Sequence, residues 1–506
     1  MPKRIHPLWV KILDNMRRLY ATIYSPYERQ GSLRKLLIFV IFFLILGFIC
    51  PLKAAELPDL GNSSSAVLTP VQESELGRSI MKELQRAQAI SDDAYVSEYL
   101  QGLGYRLIAT QGQAQSDYQF FVVKDRSINA FALPGGFIGV NVGLILATDS
   151  ESELAGVLAH EIGHVQQKHI ARMYEHMGRL RLSTIAGMIA AVVLATQNAQ
   201  AASGAMAATL AGSQQALINF TREHEKEADY VGIQALTKAG FDPMGMPSFF
   251  HRMYQDTRFY GNHTPDYLLT HPLTESRLMA AQTRAKSFPY KQIPDSLQYH
   301  LMQARVTVNS FSSAQEATNY FAKKLQRGNY RSRTGTLYGY TLALLEEGKA
   351  AQAKPYLDEL LETSPNQPLF QLAYAQMEMM TEQRQQALSR LANTLQNHPN
   401  NYPLTFTYCE WLIKNGDATK AARLLQQQIL RKPIRPPLWN LLSAAYSQLH
   451  QPIQSHLAQA QFLKLKGDYT GAATQLRLAK KLSSASPQEQ RQIDAELKEI
   501  QSKLST

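Results

Sequence analysis

Apolar residues along this chain follow three different rhythms. Leu154, Val157, Leu158, Ile162 and Val165 recur at the spacing of one helical face, and Ser150 followed by Glu153 reads as a capping box opening that helix, so an amphipathic helix with a buried stripe is predicted. Between residues 118 and 140 the texture changes. Tyr118 to Val123, Ile128 to Leu133 and Phe137 to Val140 are rich in aromatic and β-branched residues, and Pro134-Gly135-Gly136 separates the last two runs, which predicts a small antiparallel sheet. A second helix starts in the acidic stretch at Glu223, continues through Val231, Ile233 and Leu236, and stops at Gly240 before Asp242-Pro243.

The third rhythm is a long period. Tyr340, Tyr374 and Tyr408 stand 34 residues apart, as do Ala353, Ala387 and Ala421, then Leu357, Leu391 and Leu425, and finally Pro365, Pro399 and Pro433. Thirty-four residues per helix-turn-helix, with a small residue in the second helix and proline at its end, is the tetratricopeptide pattern. The register then shifts: Gly416 to Gly467 is 51 residues, one and a half periods, with Ala472 and Leu476 matching Ala421 and Leu425, which one added helix explains. Helix pairs of this kind bury their apolar faces only by stacking, so a solenoid with a concave protein-binding side is expected, its Trp411, Met377 and Met379 packing between helices.

Two apolar runs fit neither a globular helix nor a strand. Leu36 to Ile49, preceded by Arg34 and Lys35 and followed by Pro51-Leu52-Lys53-Ala54-Ala55, has the charged, apolar and small-residue order of an export signal, although its long basic lead leaves an uncleaved membrane anchor as the alternative. Thr184 to Ala195, with alanine-rich sequence following to Ala211, is interrupted by Gln197, Asn198 and Gln200 and is too short for the roughly 20 residues a bilayer requires. A pair of helices covering a site, acting as a lid or touching lipid, is the expectation there.

Of the formal charge of +11, residues 1 to 55 supply nine basic and two acidic side chains, which leaves 43 basic against 39 acidic for the remainder. A balance of +4 does not indicate a basic patch for nucleic acid. Past the leader the only cysteine is Cys409, expected as a buried thiol without an internal disulfide.

The densest chemistry lies in His160-Glu161-Ile162-Gly163-His164. Histidines four apart on a helix project one turn above each other and can share a metal, with the glutamate between them free to act on water. A hydrolytic zinc site takes three protein ligands and needs a third from elsewhere. Glu225 is the candidate, and Asp229, one turn further on, can accept the second ring N–H of a ligating histidine. His169 and His176, five and twelve residues past His164, fall off the metal face of that helix and read as ordinary polar positions. The edge strand carrying Asn129, Ala130, Phe131 and Ala132 is a candidate for holding an extended peptide by strand addition.

These stretches resemble a family. HExxH followed 61 residues later by ExxAD is similar to the zinc metallopeptidases that include the HtpX heat-shock protease and the CAAX prenyl protease, and the stretch from Asn129, His271-Pro272 and Arg277 fit in the family's order across residues 71 to 290. The resemblance implies His160, His164 and Glu225 as ligands of one zinc ion per chain, Glu161 as general base and Asp229 as the group orienting a ligand. His271, fixed in direction by Pro272, has three competing roles: oxyanion stabilisation together with Arg277, occupation of the fourth zinc position as a latch, or structure. The latch is the favoured expectation, on similarity to a periplasmic member of this family that carries tetratricopeptide repeats.

The expected fold is α+β, mainly α: a zincin-like metalloprotease domain with a small β-sheet, followed by an all-α tetratricopeptide solenoid. The expected boundaries are a leader at 1–55, a linker at 56–70, the protease at 71–290 and the repeats at 296–506, divided at the proline-bearing stretch Pro289 to Asp295. The resemblance further implies an exported, periplasmic zinc endopeptidase acting on stalled or misassembled outer-membrane proteins, with the assembly machinery engaged through the repeats and peripheral membrane contact possible. The alternative is a chaperone or scaffold whose zinc is structural or blocked.

Overall fold

The computed structural model describes residues 68–112, 118–177, 214–259, 265–291, 293–431, 435–482 and 486–504. The expected leader, most of the expected linker and the apolar stretch from Thr184 to Ala211 lie outside these. All described residues belong to one compact unit spanning residues 63–506, and no helix among them is long and apolar enough to cross a membrane.

The first half contains α1 (Pro70–Arg86), α2 (Ala94–Ala109), β1 (Gln119–Val123), β2 (Ala130–Leu133), β3 (Phe137–Asn141), α3 (Val142–Ala147), α4 (Glu151–Gln166), α5 (His169–Met177), α6 (Gln214–Lys238), α7 (Gly245–Phe259), α8 (Asp266–Thr270) and α9 (Glu275–Lys286). α4 carries the HExxH residues and starts as expected: Ser150 Oγ accepts the Glu153 amide at 3.2 Å, while the Glu153 carboxylate turns back to the Asp149 amide. The amphipathic expectation is corrected. Every residue from Glu151 to Gly163 is buried, because α6, α7, α2 and β2 pack around α4 on all sides.

The sheet also departs from the antiparallel expectation. Its order is β1-β3-β2, with β2 antiparallel and β1 parallel to β3. Only β2 and β3 are joined by a tight turn, in which Gly135 and Gly136 both have positive φ. The segment after β1 passes over the far end of β3, where the Gly143 amide donates to Asp125 O at 2.9 Å and Asn141 Nδ2 donates to Ser127 Oγ at 3.0 Å, so β1 arrives on the opposite side. β2 is left at an edge.

The second half is helical throughout: α10 (Leu297–Ser310), α11 (Ala314–Arg327), α12 (Arg333–Glu346), α13 (Ala350–Thr363), α14 (Pro368–Met380), α15 (Arg384–Asn397), α16 (Tyr402–Lys414), α17 (Ala418–Arg431), α18 (Pro436–Gln448), α19 (Pro452–Leu465), α20 (Tyr469–Lys481) and α21 (Pro487–Leu504). The repeat columns Ala353, Ala387, Ala421 and Leu357, Leu391, Leu425 are fully buried, as are Ala472 and Leu476. Between Gly416 and Gly467 lie α17, α18 and α19, so the half-period shift is one extra helix. Cys409 is a free, buried thiol whose pKa burial pushes up to about 12.

Candidate metal centre

α4 and α6 cross at small residues. A Cβ on Gly163 would stand 3.0 Å from Ala228 O, and one on Gly232 would stand 3.1 Å from Ala159 O, so the two backbones touch where a larger residue would hold them apart. This crossing sets Glu225 of α6 against His160 and His164 of α4. α6 begins at Gln214, earlier than expected, so Glu225 is an interior helical residue and not part of an acidic helix start.

Four side chains converge there: His160, His164, Glu225 and His271, each offering one donor atom within 4.8 Å of the others. His160 Nε2 is 3.0 Å from His164 Nε2, 3.4 Å from Glu225 Oε2 and 3.3 Å from His271 Nδ1. Glu225 Oε1 is 3.3 Å from His164 Nε2 and 3.2 Å from His271 Nδ1. Zinc bonds of about 2.0–2.1 Å in a tetrahedron put neighbouring donors about 3.3 Å apart, which these spacings match. Two imidazole nitrogens aimed at each other and at a carboxylate, on side chains that are buried apart from the partly buried His164, form a set of lone pairs that a cation satisfies. The residues fit a zinc ion.

Around this quartet lies a buried charge network. His160 Nδ1 is 2.9 Å from Asp229 Oδ1, and Arg277 grips both Asp229 oxygens, Nε on Oδ2 at 2.8 Å and Nη2 on Oδ1 at 2.9 Å. Arg277 Nη1 also lies 2.8 Å from Glu225 Oε2 and 2.8 Å from Pro272 O, so it ties together both carboxylates and the turn after His271. Burial disfavours a charged Asp229, yet Arg277 and His160 hold its pKa below the usual carboxylate value. Burial likewise opposes ionisation of Glu225, and the surrounding His271, His160 and His164 overcome it, leaving the pKa well below normal. Desolvation pushes His160 towards neutrality, but Asp229 and Glu225 prevail and raise its pKa to about 10.

Glu161 is wholly buried, and among the described residues neither carboxylate oxygen has a hydrogen-bond partner; Oε1 lies 3.4 Å from His271 Nε2. His271 ends α8, with its ring stacked on Tyr267 at 4.8 Å between centroids and its amide donating to Tyr267 O at 2.7 Å. Asn129 Oδ1 accepts from Thr270 Oγ1 at 3.4 Å, which brings the start of β2 beside the residue preceding His271. His169 overturns the reading of it as an ordinary polar position. It is 4% exposed and its Nδ1 is 2.9 Å from His164 Nδ1. Burial, with His164 and His224 beside it, lowers its pKa to about 2. The helical-wheel argument failed because α4 ends at Gln166 and α5 begins a new direction. For His176, the side chain lies outside what is described.

Such a centre, on a helix packed between a small sheet and a long partner helix, defines a metallopeptidase. The profile described as peptidase family M48 matches residues 95–285, and a tetratricopeptide repeat profile matches residues 378–445. The chain belongs to peptidase family M48. It is 35% identical over 446 residues to a putative beta-barrel assembly-enhancing protease of Vibrio cholerae serotype O1, covering 88% of this chain and 92% of that protein. It is 30% identical over 448 residues to the beta-barrel assembly-enhancing protease of Escherichia coli strain K12, covering 88% and 92%. A mitochondrial metalloendopeptidase of Schizosaccharomyces pombe is 32% identical over 184 residues, 36% of this chain and 50% of that one.

Proposed function

We propose that this chain is a zinc endopeptidase of the bacterial cell envelope, held closed at rest by His271, which degrades misfolded or stalled outer-membrane proteins and assists their assembly. The observation that carries the reading is the quartet of His160, His164, Glu225 and His271 at metal-ligand spacing with Glu161 buried beside it. The relatives' names support the substrate class, and the export-signal pattern at residues 1–55 supports periplasmic delivery.

A zinc ion held by His160, His164 and Glu225 supplies Lewis-acid polarisation of the scissile carbonyl and of water. Glu161 takes the proton from the attacking water and returns it to the leaving amine. Asp229 keeps the His160 ring in the tautomer that presents Nε2, and Arg277 holds Asp229 and Glu225 in place. With at least four of its N–H contacts on those carboxylates and on Pro272 O, Arg277 serves as a positioning residue better than as an oxyanion donor. β2, at the sheet edge, together with Asn129 just before it, offers Asn129 to Ala132 for main-chain pairing with an extended substrate. The repeats supply protein-binding surface for partners, the outer-membrane assembly machinery among them.

Glu161→Gln tests the reading. The variant is expected to keep its fold and zinc while losing peptide cleavage by about a hundredfold or more. A chaperone or scaffold with a blocked zinc, the reading that the closed His271 also favours, would keep its cellular role in that variant.

A further inference from the structure

Between α4 and α5 the chain reverses sharply. Lys168 has φ of +52°, and its amide donates to Val165 O at 3.1 Å, closing the end of α4 before α5 leaves in a new direction. This folds His169 back beneath His164, their Nδ1 atoms 2.9 Å apart. His169 Nε2 lies 3.2 Å from Glu227 Oε2, and Arg172 Nη1 donates to that same oxygen at 2.8 Å. The flat face of His169 stacks on His224 at 4.1 Å between centroids, with 9° between planes.

Counting protons gives this chain a direction. A carboxylate can only accept, so the hydrogen bond to Glu227 puts the N–H of His169 on Nε2 and leaves a lone pair on Nδ1. That lone pair can only accept, so the proton between the rings belongs to His164 Nδ1. His164 Nε2, 3.0 Å from His160 Nε2 and 3.3 Å from Glu225 Oε1, then presents its own lone pair to the centre.

We propose that His169 is a positioning residue for the metal centre: the chain His164, His169, Glu227, Arg172 fixes the tautomer and ring plane of His164, as Asp229 and Arg277 do for His160. The two histidines of α4 thus have separate supports. One runs through α6 to α9, the other through α5 to α6 and back to α5. This inference rests on reading the quartet as a zinc site. The support acts through hydrogen bonds, so an amide side chain, with an acceptor oxygen and a donor nitrogen at comparable separation, substitutes for imidazole in part, whereas an apolar ring of similar shape does not.

The test uses the full-length protein and four variants: His169→Phe, His169→Gln, Glu227→Ala and the double variant His169→Phe/Glu227→Ala. The zinc dissociation constant is measured by competition with a chromophoric chelator, and the visible spectrum is recorded after replacement by cobalt(II). His169→Phe is expected to weaken zinc binding by about 10–100-fold and to alter the cobalt bands. His169→Gln is expected to recover most of the affinity, Glu227→Ala to weaken binding in the same direction, and the double variant to be no weaker than His169→Phe alone. A His169→Phe protein with wild-type affinity and an unchanged cobalt spectrum overturns the proposal, as does a loss that glutamine fails to restore, which would mark His169 as packing only. If His169→Phe does not fold, Glu227→Ala decides, and wild-type affinity there overturns the chain. A wild-type protein that takes up no zinc defeats the reading of the quartet and this inference together; a wild type that binds zinc beside an equally tight His169→Phe defeats the inference alone.

Discussion

At the scale of single residues, the centre is governed by what His271 does. It reaches towards Glu225 and His160 with Nδ1 and towards Glu161 with Nε2, so one ring both closes the quartet and faces the Glu161 carboxylate. If that closed arrangement is favoured by about 1.4 kcal/mol over an open one, removing the ring raises the active fraction about tenfold. His271→Ala is therefore expected to cleave an unstructured peptide faster than the wild type; activity as low as that of Glu161→Gln would instead make His271 an oxyanion donor. His160, His164 and Glu225 were legible as candidates because HExxH and the Glu225 to Asp229 spacing are local helical patterns, whereas His271, in a turn, came into view only through the family resemblance. His169 was not legible. Its place beneath His164 depends on the reversal at Lys168, a non-glycine residue with nothing in its sequence context to announce positive φ.

The elements show the same division between local pattern and tertiary geometry. The tetratricopeptide period survives in the backbone even where residue type does not: positive φ recurs at Gly348, Glu382, Gly416 and His450, each 34 residues from the next, between the two helices of a repeat. Glu382 at +63° and His450 at +55° hold a conformation that strains an L side chain. Glu382→Gly and His450→Gly are each expected to stabilise the protein by several tenths to about 1 kcal/mol, because relief of that strain exceeds the entropy added to the unfolded chain. Lower melting temperatures for both would contradict the account of the turn. Strand positions were readable from composition, but strand order was not, because it depends on the segment after β1 crossing the end of β3. The start of α6 at Gln214 lies nine residues before the acidic stretch, with Ser213, a residue type that caps helices, immediately ahead of it in the sequence.

On the scale of the whole molecule, the helical second half of the chain grips the first half at the start of α4. Glu151, at the first turn of α4, accepts from Tyr99 Oη at 2.9 Å, Ser296 N at 3.0 Å and Ser296 Oγ at 2.8 Å, while its own amide donates to Asp295 Oδ1 at 2.7 Å. Tyr299 and Gln303 of α10 both donate to Thr148 O, and Arg435 pairs with Glu98. Glu151→Ala leaves the partly buried donors Tyr99 Oη, Ser296 N and Ser296 Oγ without this acceptor and is expected to lower stability by about 1–3 kcal/mol. The two halves are expected to unfold together in calorimetry, and separate transitions, with only one of them moved by Glu151→Ala, would contradict this coupling. Whether the quartet holds a metal is read from the zinc content of the purified full-length chain and of Glu225→Ala, measured by elemental mass spectrometry. About one zinc per wild-type chain is expected, and less than about a tenth of that in a folded Glu225→Ala protein; a wild type that stays metal-free after reconstitution, or a variant that keeps its full zinc, contradicts a zinc site built on Glu225.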